Sequence, residues 1–516
     1  MENNNQQQVQ PVQPPQPAPP AQPYYYTPTP VVQTPPFPTG KRELAFGVTI
    51  VILSLLLCNF TLFGGFNLGF AVAAIGCIAC AVAYLYAGGC RLDGYSGALL
   101  GVSVVIAAGF ARSDDGFVKF VMVCFLLLSV YLALGLMAGQ NRRDPAGFTS
   151  VLDPFRVALM LGLGEMSPAF RGLVALFKSG GPAVKKAGAV LVGLALAVPV
   201  LGVLIPLLMS ADAAFSGLVG LLPDFEIGEL IVTVLLGSIT ACVYYTQGTA
   251  LRHAAKPDKS GGAAKKTVSH LTVNTVLGAV CLVYVAYLLS QLAYFVGGFS
   301  GILPEEFTMA QYARRGFFEM AWLCAIDLGI IALAVGLVTK REGKAPLATR
   351  LLCLFIGLVT VFLVVTASAK MGMYIGSYGL TRLRVLTEVI MVFLGIATAL
   401  VCLWLFVPKM PYMKVIMLVA LAMGAVTLWA DVDTVVAAYN VSAYQSGALN
   451  SVDVYYLGTL GDGAIPYIVE LTKDADPSTA ASARKIILDH RPDYSDFRDW
   501  NFADWYAEDL IGQMVD

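Results

Sequence analysis

Residues Leu68–Ala87 read LGFAVAAIGCIACAVAYLYA, twenty residues without a single charge. An α-helix rises about 1.5 Å per residue, so a stretch of this length covers ~30 Å, the hydrocarbon thickness of a bilayer. Lipid cannot satisfy open backbone N–H and C=O groups, so such a stretch crosses as a helix or not at all. Cys77 and Cys80 within it make a C-x-x-C spacing. On an apolar helix these are small packing residues rather than a redox pair.

The same pattern extends in both directions. Apolar stretches cover 44–63 before it and 95–111, 117–138, 187–210, 230–250, 271–296, 317–338, 351–372, 385–407 and 413–430 after it. The stretch at 95–111 is the weakest, being short and rich in Gly and Ala. The whole chain agrees with this reading: 57% of the 516 residues are hydrophobic and only 13% charged, where a soluble domain carries roughly 25% charge. The expected fold is therefore all-α, a polytopic transmembrane bundle of about eleven helices with a small helical C-terminal domain.

The boundaries follow from composition. Residues 1–43 are a Gln- and Pro-rich leader, too polar to bury a core and expected to be disordered, with Tyr24-Tyr25-Tyr26 as a possible docking triplet. The first apolar run begins near Leu44 with no basic segment ahead of it, so no cleavable signal peptide is expected. Residues 44–138 hold the first four helices. Residues 139–186 form a basic loop whose short apolar run at 157–163 suggests interfacial helices. Residues 187–430 hold the other seven. Residues 431–516 change character, with fifteen acidic and five basic residues and short helical patterns at 452–460, 464–471, 480–488 and 502–511.

Basic residues concentrate in alternate loops, notably 142–186 and 252–266, on the side of the leader. The positive-inside rule then places the N-terminus in the cytoplasm, and an odd number of crossings places the C-terminal domain outside. All ten cysteines lie in or beside apolar stretches and none in the C-terminal domain, so no disulfide framework is expected.

Few residues offer chemistry. No P-loop, G-x-G-x-x-G or zinc-ligand spacing occurs, so no cofactor, metal or catalytic residue is assigned. The three histidines, His253, His270 and His490, fall outside the apolar centres, which argues against an intramembrane Ser–His protease. A formal net charge of −1 gives no basic field for nucleic acid.

Asp327 sits at the middle of 317–338, where an ionised carboxylate costs about 2.5–3.5 kcal/mol. It reads either as an ion or proton site or as a neutral acid bonded to a Ser, Thr or Tyr of a neighbouring helix. A second group lies at one end of three spans: Tyr312, Arg314, Arg315, Glu319, Lys370, Tyr374, Tyr378, Arg382, Arg384 and Glu388. Several Arg beside Tyr and carboxylates can grip an anionic or headgroup-like ligand; the plainer alternative is an interfacial belt. Arg384 and Glu388, four apart, can pair on one helix face. Trp500 and Trp505, with Phe502 and Tyr506, form an aromatic cluster that closes the domain core, docks on the bilayer or meets a partner.

Several short motifs carry a resemblance: Gln311–Phe317 (QYARRGF), Tyr378–Arg384 (YGLTRLR), Tyr439-Asn440-Val441, Asp453–Leu457 (DVYYL) and the stretch from Met209 to Phe215 (MSADAAF). Together they resemble the uncharacterised bacterial multi-pass membrane family known as domain of unknown function 4173, close to 4153, over roughly residues 44–510. The resemblance implies a bacterial cytoplasmic membrane location and no established activity. The sequence thus points to a non-enzymatic binding or regulatory membrane component, in contact with the lipid bilayer and with an envelope or membrane protein partner. The alternatives are a small-solute or ion transporter titrating at Asp327, and a membrane-embedded transferase using carboxylates such as Asp212 or Glu305.

Overall fold

The computed structural model describes residues 36–179, apart from 39, 145 and 146, then 207–211, 227–257, 268–299, 317–339, 345–490 and 497–515, with scattered positions between 182 and 204. The leader, the expected crossing at 187–210, Tyr312, Arg314, Arg315, Asp212 and Glu305 lie outside or almost wholly outside these residues. Among the described residues the structure is helical and contains no strand; one isolated bridge joins Val268 and Val338.

The long helices are α1 (Lys41–Phe63), α2 (Leu68–Ala87), α3 (Gly94–Gly109) and α4 (Gly116–Ala138). An amphipathic helix α5 (Met166–Ser179) comes next, followed by α6 (Ile227–His253), α7 (His270–Phe299), α8 (Phe317–Leu337), α9 (Leu347–Tyr378), α10 (Arg382–Phe406) and α11 (Tyr412–Ala430). Nine of these are long and apolar enough to cross a membrane among the described residues, and α3 is a shorter apolar helix packed in the core. A polytopic helical bundle is what the sequence predicts.

The helices run alternately between two faces. At the face where α1 begins, called here the leader face, Glu43 is buried and accepts from Arg252 at 2.7 Å and contacts His253 at 3.2 Å, tying α1 to the end of α6. In the turn 156–164, Val157 is almost fully buried and Gln247 of α6 donates to the Ala158 carbonyl at 2.9 Å, while Leu159 and Leu163 are exposed. At the opposite face lie the turns 64–67, 110–115 and 379–381.

The C-terminal residues build five helices: α12 (Val432–Gln445), α13 (Val454–Gly458), α14 (Ile465–Leu471), α15 (Pro477–Asp489) and α16 (Phe502–Val515). Each of the four sequence patterns falls on one of the last four helices. Asp476 caps α15, accepting from Ser478 and Thr479, with Pro477 at the first helical position where its missing N–H costs nothing. The domain does not stand apart. One continuous apolar core runs from Phe70, Leu99 and Leu126 in the spans through Leu421 to Leu457, Ile468 and Ala507 in the domain. Two further cores sit among α7–α10 and at the leader end of α1, α2, α4 and α6. By packing, α6 joins α1, α2 and α4, and α11 packs on α3 and α4 as well as on α10.

This arrangement predicts labelling sides. In sealed vesicles, a membrane-impermeant maleimide should reach Gly65→Cys and Gly447→Cys from one side and native Cys90 from the other. Labelling of Gly65→Cys and Gly447→Cys from opposite sides would refute the arrangement.

Candidate functional site

The domain meets the spans at a seam lined with carboxylates. Asp115 caps α4, accepting from the amides of Phe117 at 2.9 Å and Val118 at 3.0 Å. Beside it, Ser113 donates to Asp431 at 2.9 Å. Asp431 is the joint between α11 and α12. It holds φ at 52°, and its carboxylate also accepts from Thr434 at 2.5 Å. A residue other than Gly with positive φ is uncommon and persists where its surroundings hold it; here two hydroxyls do so. Gly463 packs directly over this carboxylate, and a Cβ there would come within 2.0 Å of Asp431 Oδ2, so only glycine fits.

Two residues on, Asp433 is gripped by both the Nε and Nη2 groups of Arg382 and accepts from the Gly461 amide at 2.9 Å. Arg382 also lies 3.7 Å from Asp115, and its amide donates to the Tyr456 hydroxyl at 3.0 Å. Two turns along α12, Asn440 exchanges two hydrogen bonds with Leu380, at 2.6 and 2.9 Å. Asp453 in turn caps α13 through the Tyr456 amide at 2.9 Å. The three motifs at 378–384, 439–441 and 453–457, far apart in sequence, therefore meet in one joint.

A second group continues along the seam. Lys119 of α4 is buried, donates to Asn67 at 2.5 Å and lies 3.9 Å from Asp114. Asp504 of α16 is buried, accepts from Asn501 at 2.6 Å, and has one oxygen without a hydrogen-bond partner. Burial and the neighbouring Asp462 push its carboxyl up to about 7, against the pull of Lys119. Asp114 is pushed up to about 6 by burial and by Asp504. The Asp114 side chain is 43% exposed, whereas Asp504 is buried. Burial likewise raises Asp431. His490 sits 3.4 Å from Asp462, and burial lowers its proton affinity. Six carboxylates thus lie among Lys119, Arg382, Arg112 and His490, and burial raises the proton affinity of Asp114, Asp431 and Asp504. Among the described residues no group of His, Cys, Asp or Glu is arranged to hold a metal ion.

The candidate residues read from the sequence separate here. Arg382 turns into the joint, engaged by Asp433. Arg384 lies over the Tyr374 ring at 4.1 Å and donates to the Tyr378 and Gly379 carbonyls rather than pairing with Glu388. Tyr374 and Tyr378 pack at 5.1 Å. Glu388 keeps one buried oxygen without a hydrogen-bond partner, Lys370 is half-buried in α9, and Glu319 is exposed at the start of α8. Asp327 is fully buried between three helices, accepting from Tyr284 at 2.6 Å and Thr360 at 2.8 Å. That is the hydroxyl-bonded arrangement weighed above against an ion site.

The Trp500 carbonyl accepts from the Leu68 amide at 3.1 Å, and the Phe502 amide donates to the Ala111 carbonyl at 2.9 Å. The Arg112 guanidinium covers the Phe502 ring at 4.7 Å, while Trp505 is 43% exposed. The aromatic cluster therefore docks on the bundle itself. Sequence reasoning missed Asp431, Asp433 and Asp504 as partners because each pairs across 50 or more positions or across the domain boundary; the convergence of weak motifs was the available signal.

The model of the family described as Domain of unknown function (DUF4153) matches residues 97–471. The chain belongs to the DUF4153 family. The match falls on 4153, which the resemblance had placed beside 4173. It spans α3 to α14 and so includes Asp115, Lys119, Arg382, Asp431, Asp433, Asn440 and Tyr456, but not Asp504. No curated protein and no solved structure matches the chain.

Two outcomes follow for this DUF4153 member. Arg382→Ala leaves Asp433 buried and unpaired, which costs 3–5 kcal/mol for a fully buried pair; with Arg382 38% exposed, a loss of about 2–3 kcal/mol is expected. Thermal unfolding in detergent measures it, and Arg382→Ala combined with Asp433→Asn should recover part of the loss. An unchanged melting temperature for Arg382→Ala would remove the pair from the account.

The second outcome concerns pH. Asp504 binds its proton more tightly docked than undocked, so docking is favoured below the ordinary carboxylate range and weakens as pH rises from about 4 to about 7. Protease cleavage between α15 and α16 should be slower at pH 5 than at pH 8, and Asp504→Asn should flatten that difference. Faster cleavage at pH 5 would contradict the assignment.

Proposed function

We propose that this DUF4153 protein is a non-enzymatic binding and regulatory component of the bacterial cytoplasmic membrane, with its leader in the cytoplasm and its C-terminal domain outside. The observation that carries this reading is an acidic domain fixed to the spans by buried joints while Tyr455 (82% exposed) and Leu488 (73% exposed) face outward from it. At the seam, the side chains that a reaction would need are engaged with one another: Arg382 with Asp433, Asp431 with Ser113 and Thr434, and Lys119 with Asn67. Such a site suits mechanical coupling rather than turnover. An exposed aromatic and an exposed leucine on an acidic surface suit a protein partner with a basic face. The same acidity repels anionic lipid headgroups, which favours an envelope protein over the bilayer surface as the ligand.

A photo-crosslinking amino acid at Tyr455 in living cells tests this. One discrete protein adduct is expected, lost when Arg382→Ala loosens the domain. Absence of an adduct at both Tyr455 and Leu488 would defeat the binding reading. Asp327→Asn serves as the contrast: cells carrying it should keep the adduct, because Asp327 lies in the bundle half formed by α7–α9.

A further inference from the structure

Away from the seam, α1, α2, α4 and α6 enclose a cavity of about 480 Å³. All four helices are candidate spans, so the cavity lies at membrane depth. Its wall runs along α1 from Phe46 to Leu62, a rise of ~24 Å. The cavity is thus elongated along α1, the shape that an extended methylene chain fills. The volume is within the range of about 300–1,000 Å³ typical of ligand pockets.

The wall is apolar, and most of its few polar groups are already paired. Tyr131 donates to Gln247 at 2.7 Å, Gln247 donates to the Ala158 carbonyl, Thr61 donates to the Leu57 carbonyl at 2.6 Å, and Cys58 contacts Thr240 at 3.4 Å. A water or a polar solute needs two to four polar partners, and beyond the Tyr244 hydroxyl and the Cys77 thiol this wall offers little. Toward the leader face the cavity is closed by Phe46, which stacks on Tyr84 at 4.2 Å and lies against Gly248, where a Cβ would approach to 2.4 Å. Toward the bilayer it opens between α4 and α6, past the exposed side chains of Leu127, Leu236 and Ile239.

We propose that this cavity binds a single alkyl chain of a bilayer lipid, entering laterally between α4 and α6. The elongated shape, the apolar wall and the scarcity of unpaired polar groups all match a saturated or mono-unsaturated acyl chain. Burial of the chain is driven by packing against the wall, since lipid and wall are equally apolar.

The test uses the full chain in nanodiscs containing phosphatidylcholine with a mid-chain diazirine. Photolabelling is expected to saturate at one lipid per chain and to map to Cys77, Ile78 and Val130 on the inner wall. Ala74→Phe, which fills the slot, and Ile239→Trp, which obstructs its mouth from an exposed position, should each lower that labelling several-fold. Ile239→Trp carries the test if Ala74→Phe fails to fold. Labelling confined to outward-facing residues such as Val48 and Leu282, or inner-wall labelling unchanged in Ile239→Trp, would overturn the proposal.

Discussion

The structure depends on one constraint: charged groups of the C-terminal domain are taken out of water where that domain meets the membrane spans, and each needs a partner there. Arg382 and Asp433 meet this most directly, with two hydrogen bonds to a carboxylate that is 1% exposed. A bidentate Arg–carboxylate pair fixes orientation as well as distance, so the start of α10 and the start of α12 are held in one register. Asn440 and Leu380 repeat the lock two turns further on, and Asp431 with Ser113 extends it to the turn before α4. Removing any one of these leaves a polar group buried and unsatisfied, which makes the seam cooperative.

The apolar packing follows from that register. Because α11 passes into α12 through Asp431, the core among α2, α3 and α4 continues into the domain without a water layer. A domain of this size has a marginal core of its own, and sharing the core of the spans relieves that. The excess acid at the seam works in the other direction: it adds no attraction above neutral pH and leaves docking open to protonation, chiefly at Asp504. The seam is thus rigid in geometry and adjustable in strength.

Much of the fold was legible because a bilayer permits few solutions. Leu68–Ala87 and its like must be helices, and their lengths give their ends closely. The helices of the domain were legible from their punctuation: Asp476-Pro477-Ser478 marks the start of α15, and Gly461-Asp462-Gly463 the turn before α14. The site was legible only in pieces. The Tyr378–Arg384 stretch showed its arginines but not their partners, since an exposed and a paired arginine read alike in sequence. Asp327 showed its depth but not the hydroxyls of Tyr284 and Thr360, which come from two other helices. The cavity among α1, α2, α4 and α6 left no trace in sequence, because a lipid-facing and a cavity-facing leucine are the same letter.

The central claim is that domain and spans open as one unit. Residue-resolved amide hydrogen exchange at pH 5.5 tests it directly. The amides of Leu68, Leu380 and Phe502 bond across the seam, whereas those of Ile468 to Leu471 lie inside the domain. Equal protection of the two sets is predicted, since the seam would break only when the domain itself unfolds. Seam amides exchanging orders of magnitude faster than those of α14 would mean that the domain undocks by itself, and would contradict the account.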